Sequence, residues 1–580
     1  MICKNKKIRK QIMSLLLTTV MTVSAFDATL VRADADEAGN ESAVEYNNGD
    51  NVTMASRLVF PDGTPVNTES EDFDPTEDYS EYGLGANQAQ VAQSEAVSVN
   101  KFESMVNNDA DSSNDIDVVP TSDAADTSYP SSVDLSTSKY FPEIGNQHSI
   151  GSCVAWACVY YGFTYANCKA KDEAASADNI MSPAFIYNQV KESSGGTNEY
   201  YVFNALLSEG APLKSMADFE SYSSENLCKS WFPQKEIWKN ASERRLTSYT
   251  MLSTPGTISS PDDSDLNQIK KYLNDGYLIN ITAQVTGCTN AYLKSGTPHA
   301  GELYRIQGGK GGYHEMTIVG YDDNIYYDIN GDGTIQDAER GAFKVANSWG
   351  KEWGNDGFIW YAYDSINAKS QCLGESSSTR SRGLYDFVVQ YVKPDGEKSS
   401  GLHMVTTLNT VRRNQAKITV VATKKSDNTK ITRNVTVFFN CNIFACSLDG
   451  KQTEKNGTIA FDLDNVISDI SIDNVNDYTW KVQINDNRSD TNLLTLKEAY
   501  IEYNDEKIFE YTGSNKSVDG VNATVNLTNV IGKKIGWDIE GNESTVNQAR
   551  TLNAKLTDAV KRFRRLHTSL FSLIMEQQRF

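Results

Sequence analysis

Gly145-Asn146-Gln147-His148-Ser149-Ile150-Gly151-Ser152-Cys153-Val154-Ala155-Trp156-Ala157 is the stretch whose reading decides the fold. Cys153 follows Gly151-Ser152 and precedes an apolar, helix-forming run through Val159 and Phe163. A thiol at the first turn of a helix meets unpaired backbone N–H groups and the positive end of the helix dipole, and both favour the thiolate. Gln147, six residues upstream, is near enough in a folded loop to aim an amide N–H at an oxygen held beside the sulfur. A nucleophile paired with an oxyanion donor is what acyl transfer requires. A lone cysteine in an apolar stretch is more often a small buried hydrophobe. Two later segments weigh against that. Gly312-Tyr313-His314-Glu315-Met316-Thr317-Ile318-Val319-Gly320-Tyr321 puts a histidine at the head of a strand-like run, and Val345-Ala346-Asn347-Ser348-Trp349-Gly350 puts an asparagine at the end of another.

Cys, then His, then Asn, with the last two far downstream, is the order of the papain-like cysteine proteases, which the three blocks resemble. The first is similar to the family's N-Q-G-S-C-G-S-C-W-A-F, the second to H-A-x-x-x-V-G-Y, and the third to N-S-W-G-x-x-W-G-x-x-G-Y, here with Trp353-Gly354 and Gly357-Phe358. The resemblance implies Cys153 as nucleophile, His314 as general base and acid, Asn347 orienting the imidazole and Gln147 as an oxyanion donor. It makes Trp349 the shield of the His–Asn hydrogen bond and a wall for substrate. The implied fold class is α+β: a two-lobed catalytic domain, one lobe helical and one β-barrel-like, followed by a β-sandwich-like accessory domain. Four positions depart from the pattern. Val154 stands for Trp, Trp156 for Phe, His148 for Gly and Ile150 for a half-cystine, so the family's usual disulfide and cleft rim are in doubt but the chemistry is not.

Five regions follow along the chain. With 54 Lys and Arg against 76 Asp and Glu, the formal charge is −22, which disfavours nucleic acid and acidic membranes as partners. Residues 1–33 read as a signal peptide: Lys4, Lys6, Lys7, Arg9 and Lys10 precede the apolar run from Ile12 to Phe26, a secretory pattern. Residues 34–127 are rich in Asp, Glu, Asn, Ser and Ala, with Arg57 and Lys101 the only basic side chains. Such a stretch reads as disordered, a pro-region or a linker. Residues 128–394 form the catalytic domain, in which Ser182-Pro183 caps a helix and Tyr201–Leu207 is helical. Between them, Gly195 and Gly196 either let a peptide backbone approach closely, as substrate-binding residues, or form an ordinary turn. Asp265–Asn274 is helical, and Tyr277–Ala283 opens the β-rich half. His299, the rival base, has no apolar strand after it and reads as a surface loop residue.

Between His314 and Asn347 lies Asp328-Ile329-Asn330-Gly331-Asp332-Gly333-Thr334-Ile335-Gln336-Asp337-Ala338-Glu339, which matches the EF-hand loop. The ligands of a structural Ca²⁺ would be Asp328, Asn330, Asp332, the Thr334 carbonyl, Gln336 and Glu339. Strand-like flanks replace the EF-hand helices, so the expected ion clamps the connection between the His and Asn strands and opens nothing. No cofactor is expected in the chemistry itself. The loop also resembles half of a dockerin, but a dockerin needs two. The combination resembles a secreted, bacterial type of the family with a calcium-loop insertion.

Residues 400–545 hold short alternating segments at 417–421, 434–439, 479–484, 498–503 and 523–527, a pattern for a β-sandwich. Adhesion to a cell-surface, matrix or polymer ligand and a plain stabilising role both remain open for it. Residues 546–580 turn basic and helical, a docking or coiled-coil tail rather than a membrane span. Of nine cysteines, Cys3 would leave with the signal and Cys153 is the nucleophile, so an odd number remains and the pairing is undetermined. The expected function is a secreted, extracellular or cell-surface-associated endopeptidase acting on protein or peptide. The rivals are a non-catalytic adhesin on the same fold and an amidase acting on non-protein amides.

Overall fold

Cys153 begins and Lys171 ends the central helix of the amino-terminal lobe. In the computed structural model this helix, α1, runs without a break through Cys153–Ala155, a π-wound stretch Trp156–Phe163, and Thr164–Lys171. Asp172, at a left-handed φ of 55°, stops it. Every residue from 152 to 168 is buried, as expected of a helix apolar on all sides. The structure describes residues 86, 96–98, 129–191, 196–219, 231–232, 234–308, 312–373, 383–394, 396, 399–435, 448 and 456–530. The expected signal peptide and basic tail, and Gly195, lie outside them.

Three further helices complete this lobe: α2 (Pro183–Val190) and α3 (Glu199–Ser208), which pack on α1, and α4 (Lys235–Ser242), whose Trp238 meets Phe185 of α2. Ser182 accepts from Phe185 N–H and Pro183 occupies the first turn, as the cap reading required. Asn198 caps α3 in the same way. Ile150 is buried with Trp156, Tyr160, Tyr187 and Phe219, so apolar packing holds this corner.

The second lobe is a ten-stranded sheet with α5 (Asn267–Asn274) beside it. Its strands are β1 (Ala96–Ser98), β2 (Ser132–Asp134), β3 (Ser248–Met251), β4 (Ile279–Gln284), β5 (Thr289–Tyr292), β6 (Leu303–Gln307), β7 (Tyr313–Tyr326), β8 (Arg340–Ala346), β9 (Phe358–Ala362) and β10 (Leu384–Tyr391). The order is β1-β3-β10-β4-β7-β8-β9-β6-β5, with β2 on β7. β7 is the spine: it pairs β4 with Ala283 opposite His314, and β8 with Thr317 opposite Ala346. Gly320 is required there, because a Cβ would lie 2.1 Å from the Val133 carbonyl oxygen of β2.

The expectation of disorder over 34–127 needs correction where that stretch is described. Ala96–Ser98 pairs antiparallel with β3. Ala86, 6% exposed, bridges Thr197 in parallel and donates to the Tyr313 carbonyl at 3.4 Å. Backbone pairing holds these residues against the sheet.

Past β10, two antiparallel sheets form a sandwich. One is ordered β14-β11-β16-β17-β20 with β18 on β16: β11 (Leu402–Asn409), β14 (Asn456–Asp462), β16 (Leu494–Tyr503), β17 (Glu506–Glu510), β18 (Lys516–Val518) and β20 (Thr528–Asn529). The other is β13-β12-β15-β19: β12 (Ala416–Lys424), β13 (Lys430–Val435), β15 (Tyr478–Asp486) and β19 (Asn522–Asn526). Four of the expected strands fall on β12, β15, β16 and β19, and part of the fifth on β13. β11, β14 and β17 were not anticipated.

The sandwich is not a separate bead. Its inner residues, such as Ile418, Val482 and Leu496, share one buried cluster with Trp231 and Trp238 of the helical lobe. Arg245, 4% exposed, forks onto Asp464 and Asn465, while Lys235 and Lys239 pair with buried Glu502 at 2.9 and 2.8 Å. Arg413, fully buried, lies over Trp231 and donates to the Asn188 carbonyl of α2. Among the described residues no helix is long and apolar enough to cross a membrane.

Candidate active site

The site is assembled from segments distant in sequence, two of which hydrogen-bond directly to each other. Gln147 N–H donates to the Ser348 carbonyl at 2.8 Å and Gly350 N–H to the Gly145 carbonyl at 3.0 Å. Asn146 bridges Trp349. Thus the segment before Cys153 is joined, backbone to backbone, to the segment that carries Asn347. Tyr161, on α1 and fully buried, completes the join: it donates to the Asn347 carbonyl at 2.8 Å and accepts from Gly145 N–H at 3.0 Å.

α1 packs across β7, and this brings the start of the helix to the head of the strand. Asn280 and Thr317 both donate to the Ala157 carbonyl, at 2.9 and 3.4 Å. Cys153, His314 and Asn347 are all buried. His314 Nε2 and Asn347 Oδ1 are 2.7 Å apart, and the Trp349 ring lies 4.6 Å from the imidazole. Asn347 Oδ1 is an acceptor, so Nε2 carries a proton and Nδ1 is the nitrogen turned elsewhere; it has no hydrogen-bond partner. Burial pushes His314 down to about 4, against the Asn347 hydrogen bond, which raises it, with the Arg305 charge a smaller lowering influence. Burial by itself thus favours the neutral imidazole.

Gln147 is fully buried; its amide donates to the Ile150 carbonyl at 2.8 Å and accepts from the Ser348 hydroxyl. Both ends of the amide are thereby oriented on the loop that leads to the thiol. Sequence reasoning missed Ser348 and Tyr161 as positioning groups, since neither carries a chemical signal apart from its neighbours in space. Gly196 is buried beside Thr197, to which Ala86 is bridged. His299 is a partly exposed loop residue, its ring against Trp360 and Nδ1 3.3 Å from Glu302, away from the other groups, as expected.

The insertion between β7 and β8 folds as a tight acidic loop. Asp328 accepts from the N–H groups of Gly331, Asp332 and Gly333, at 2.8, 3.1 and 2.8 Å. Asp332 Oδ2 faces Asn330 and Gln336, and the buried Glu339 carboxylate accepts from Ile329, Asn330 and Gln336 N–H. Among the described residues no three His, Cys, Asp or Glu side chains are gathered closely enough to hold a metal ion by themselves. Of the other cysteines described, Cys158, Cys168, Cys288 and Cys372 are free thiols; Cys228, Cys441 and Cys446 lie outside the described residues.

Residues 129–379 match the model of the family described as papain family cysteine protease. They form a papain-family cysteine protease domain. The protein that carries it is a cysteine peptidase, a hydrolase acting on protein or peptide. Solved structures with similarity to the chain include digestive procathepsin L 3 of the Tenebrio molitor larval midgut, at 13% identity, covering 52% of this chain and 84% of that one, with a TM-score of 0.30. The recombinant stem bromelain precursor is 18% identical over 47% of this chain and 74% of its own, TM-score 0.30. Bromelain of Ananas comosus in complex with the E64 inhibitor is 17% identical over 46% and 100%, TM-score 0.28. No curated protein sequence matches the chain.

Proposed function

We propose that the protein is a secreted endopeptidase that cleaves peptide bonds through a thioester on Cys153. The observation that carries this reading is the 2.7 Å contact between His314 Nε2 and Asn347 Oδ1, which fixes the tautomer and leaves Nδ1 to take the proton of the thiol. A thiolate beside Nδ1 favours the imidazolium and so opposes the effect of burial. The thiolate attacks the scissile carbonyl. The Cys153 backbone N–H and the Gln147 amide receive the oxyanion, and His314 protonates the leaving amine and then activates water. Trp349 keeps bulk water from the His–Asn hydrogen bond. Ala86 spans the two walls of the cleft, so its segment leaves before substrate enters. Export is supported by the basic and apolar pattern of residues 1–33.

The reading is tested with the full-length chain, incubated until its activity is constant, against casein, peptidoglycan and amine conjugates. Casein cleavage with labelling of Cys153 by an epoxysuccinyl reagent is the expected result. Turnover of peptidoglycan or conjugates alone would make it an amidase, and a label that never reaches Cys153 would leave only a binding protein.

The same reading gives the β7–β8 loop a structural Ca²⁺. Its residues fit: hard oxygen donors of Asp328, Asn330, Asp332, Gln336 and Glu339, with the Thr334 carbonyl, lie on one short loop whose N–H groups already organise the carboxylates. A cation there adds charge that holds together the connection between the His314 and Asn347 strands. At a hundredfold excess over its dissociation constant, Ca²⁺ stabilises by about 2.7 kcal/mol, so Tm is expected to rise by roughly 5 °C over the value in EDTA. Asp328→Ala should abolish that rise. Equal Tm with Ca²⁺ and with EDTA would remove the ion from the account.

A further inference from the structure

Behind α1, a cavity of about 220 Å³ opens between the carboxy-terminal half of the helix, the entry to β4 and the end of β10. Its helical wall carries Gly162, Ala166 and Ala170, spaced by four and small, and the space is what their missing side chains leave. Gly162 admits nothing larger, since a Cβ there would lie 2.3 Å from Gln390 Nε2. Tyr165, Tyr277 and Tyr391 supply aromatic walls, and Pro394, on the segment that leads to the sandwich, belongs to the lining as well. Lys169, also in the lining, lies roughly 20 Å along the helix from Cys153, so the cavity is no part of the substrate cleft.

Among the described residues Lys169 is the only charged side chain in this lining. Its Nζ donates to the Asp275 carbonyl at 2.8 Å and lies 3.5 Å from the centre of the Tyr277 ring. An ammonium has three N–H groups, so the carbonyl and the ring face leave one unused. Among the described residues no carboxylate forms an ion pair with it. Burial lowers Lys169 to about 8, against the Asp275 charge, which raises it. A half-buried ammonium without a counter-ion is a cost to folding, and a methionine at 169 would cover the Tyr277 ring without it. Gln390 adds a second unmet demand. Its Nε2 donates to the Cys158 carbonyl of α1 and to Asn280 Oδ1, at 2.8 and 2.7 Å, and its buried Oε1 has no hydrogen-bond partner among the described residues.

We propose that this cavity binds a small aromatic carboxylate, its ring against the tyrosines and its carboxylate on the Lys169 ammonium. The assignment is independent of the peptidase reading. The size fits: a cavity of about 150 Å³ takes benzene and drug-sized ligands fill about 300–1,000 Å³, so 220 Å³ suits one or two rings with a short acid side chain. The tyrosine faces favour a flat apolar body. The ammonium, held where water is scarce, attracts a charged oxygen more strongly than it would in solution. A hydroxyl or ring N–H on the far side of the ligand gives Gln390 Oε1 its donor. An inorganic anion would leave the rings uncovered, and a neutral ring would leave Lys169 unpaired.

The test is isothermal titration of the full-length protein at about pH 6.5, where Lys169 is charged, with indole-3-acetate, neutral 3-methylindole and acetate as probes. The aromatic acid is expected to saturate one site below about 1 mM, the weakest affinity consistent with its size, and at least about tenfold tighter than 3-methylindole. Acetate should not saturate. The difference between acid and neutral ring should vanish in Lys169→Met and survive in Lys169→Arg, while Ala170→Phe, which fills the cavity, should remove binding of both. Equal affinity for the acid and the neutral ring overturns the proposal. Acid binding that Lys169→Met and Ala170→Phe leave unchanged overturns it too, and so does the absence of saturable binding by protein whose melting curve shows it folded.

Discussion

Cys153→Ser is expected to lower kcat on peptide by about 10⁴–10⁶-fold, judged from the loss of comparable nucleophiles, while Tm stays within a degree or two. The substitution exchanges one small buried atom for another, so packing of α1 is nearly unchanged. The chemistry is not. A hydroxyl ionises far less readily than a thiol, and the neutral imidazole that suffices to take a thiol proton does not suffice for it. His314→Ala should cost as much, because His314 is the base that the proposed mechanism gives the thiol. The double variant should be little worse than either single one, since the pair acts as a unit. Steady-state kinetics on a fluorogenic peptide, with a melting curve for each variant, provides the check. A serine variant that kept even a tenth of the activity would mean that another group attacks the substrate.

Cutting the chain after residue 394 is expected to leave a helical lobe that aggregates or melts without cooperativity. Catalytic domains are commonly produced alone, and the Cys–His–Asn order by itself suggests that this one would survive. The packing argues otherwise. Removal of the sandwich uncovers Trp231 and Trp238 and takes Asp464 from Arg245, a guanidinium only 4% exposed in the whole protein. It also takes Glu502 from Lys235 and Lys239. Breaking one buried ion pair from one side costs about 3–5 kcal/mol, a large part of the 5–15 kcal/mol typical of a folded domain. The point substitution Asp464→Ala should show about that much by itself in a denaturant melt. A soluble 128–394 fragment with the Tm and kcat/KM of the full chain would show that the sandwich is dispensable.

These two results separate what a linear reading catches from what it does not. Cys153, His314 and Asn347 were legible because each sits in a run of residues with a local signature: a helix start after Gly-Ser, a strand head, and a strand end followed by Trp-Gly. The loop proposed to hold Ca²⁺ could be singled out for the same reason, since all the oxygen donors assigned to it fall within twelve consecutive positions. Strands β12, β15 and β16 alternate clearly, whereas β11 and β14 carry polar residues on both sides of short apolar runs and gave no clean period. Nothing near Tyr161 or Ser348 marks them as tied to the site, because their partners lie on other segments.

The cavity behind α1 and the merged core show the limit most clearly. Lys169, Tyr277 and Tyr391 carry no signal in sequence, lie more than a hundred residues apart from one another, and line one space only because α1 packs against the sheet. Likewise, Arg245 and Asp464 meet only because the sandwich lies on the helical lobe. The order of the residues by itself determined the class of chemistry, because a nucleophile, a base and their local backbone are written within short windows. Only the tertiary structure decided which charges stand together and which domain supports which, because burial and electrostatic energy depend on distances in space, and the folding of distant segments against one another sets those distances.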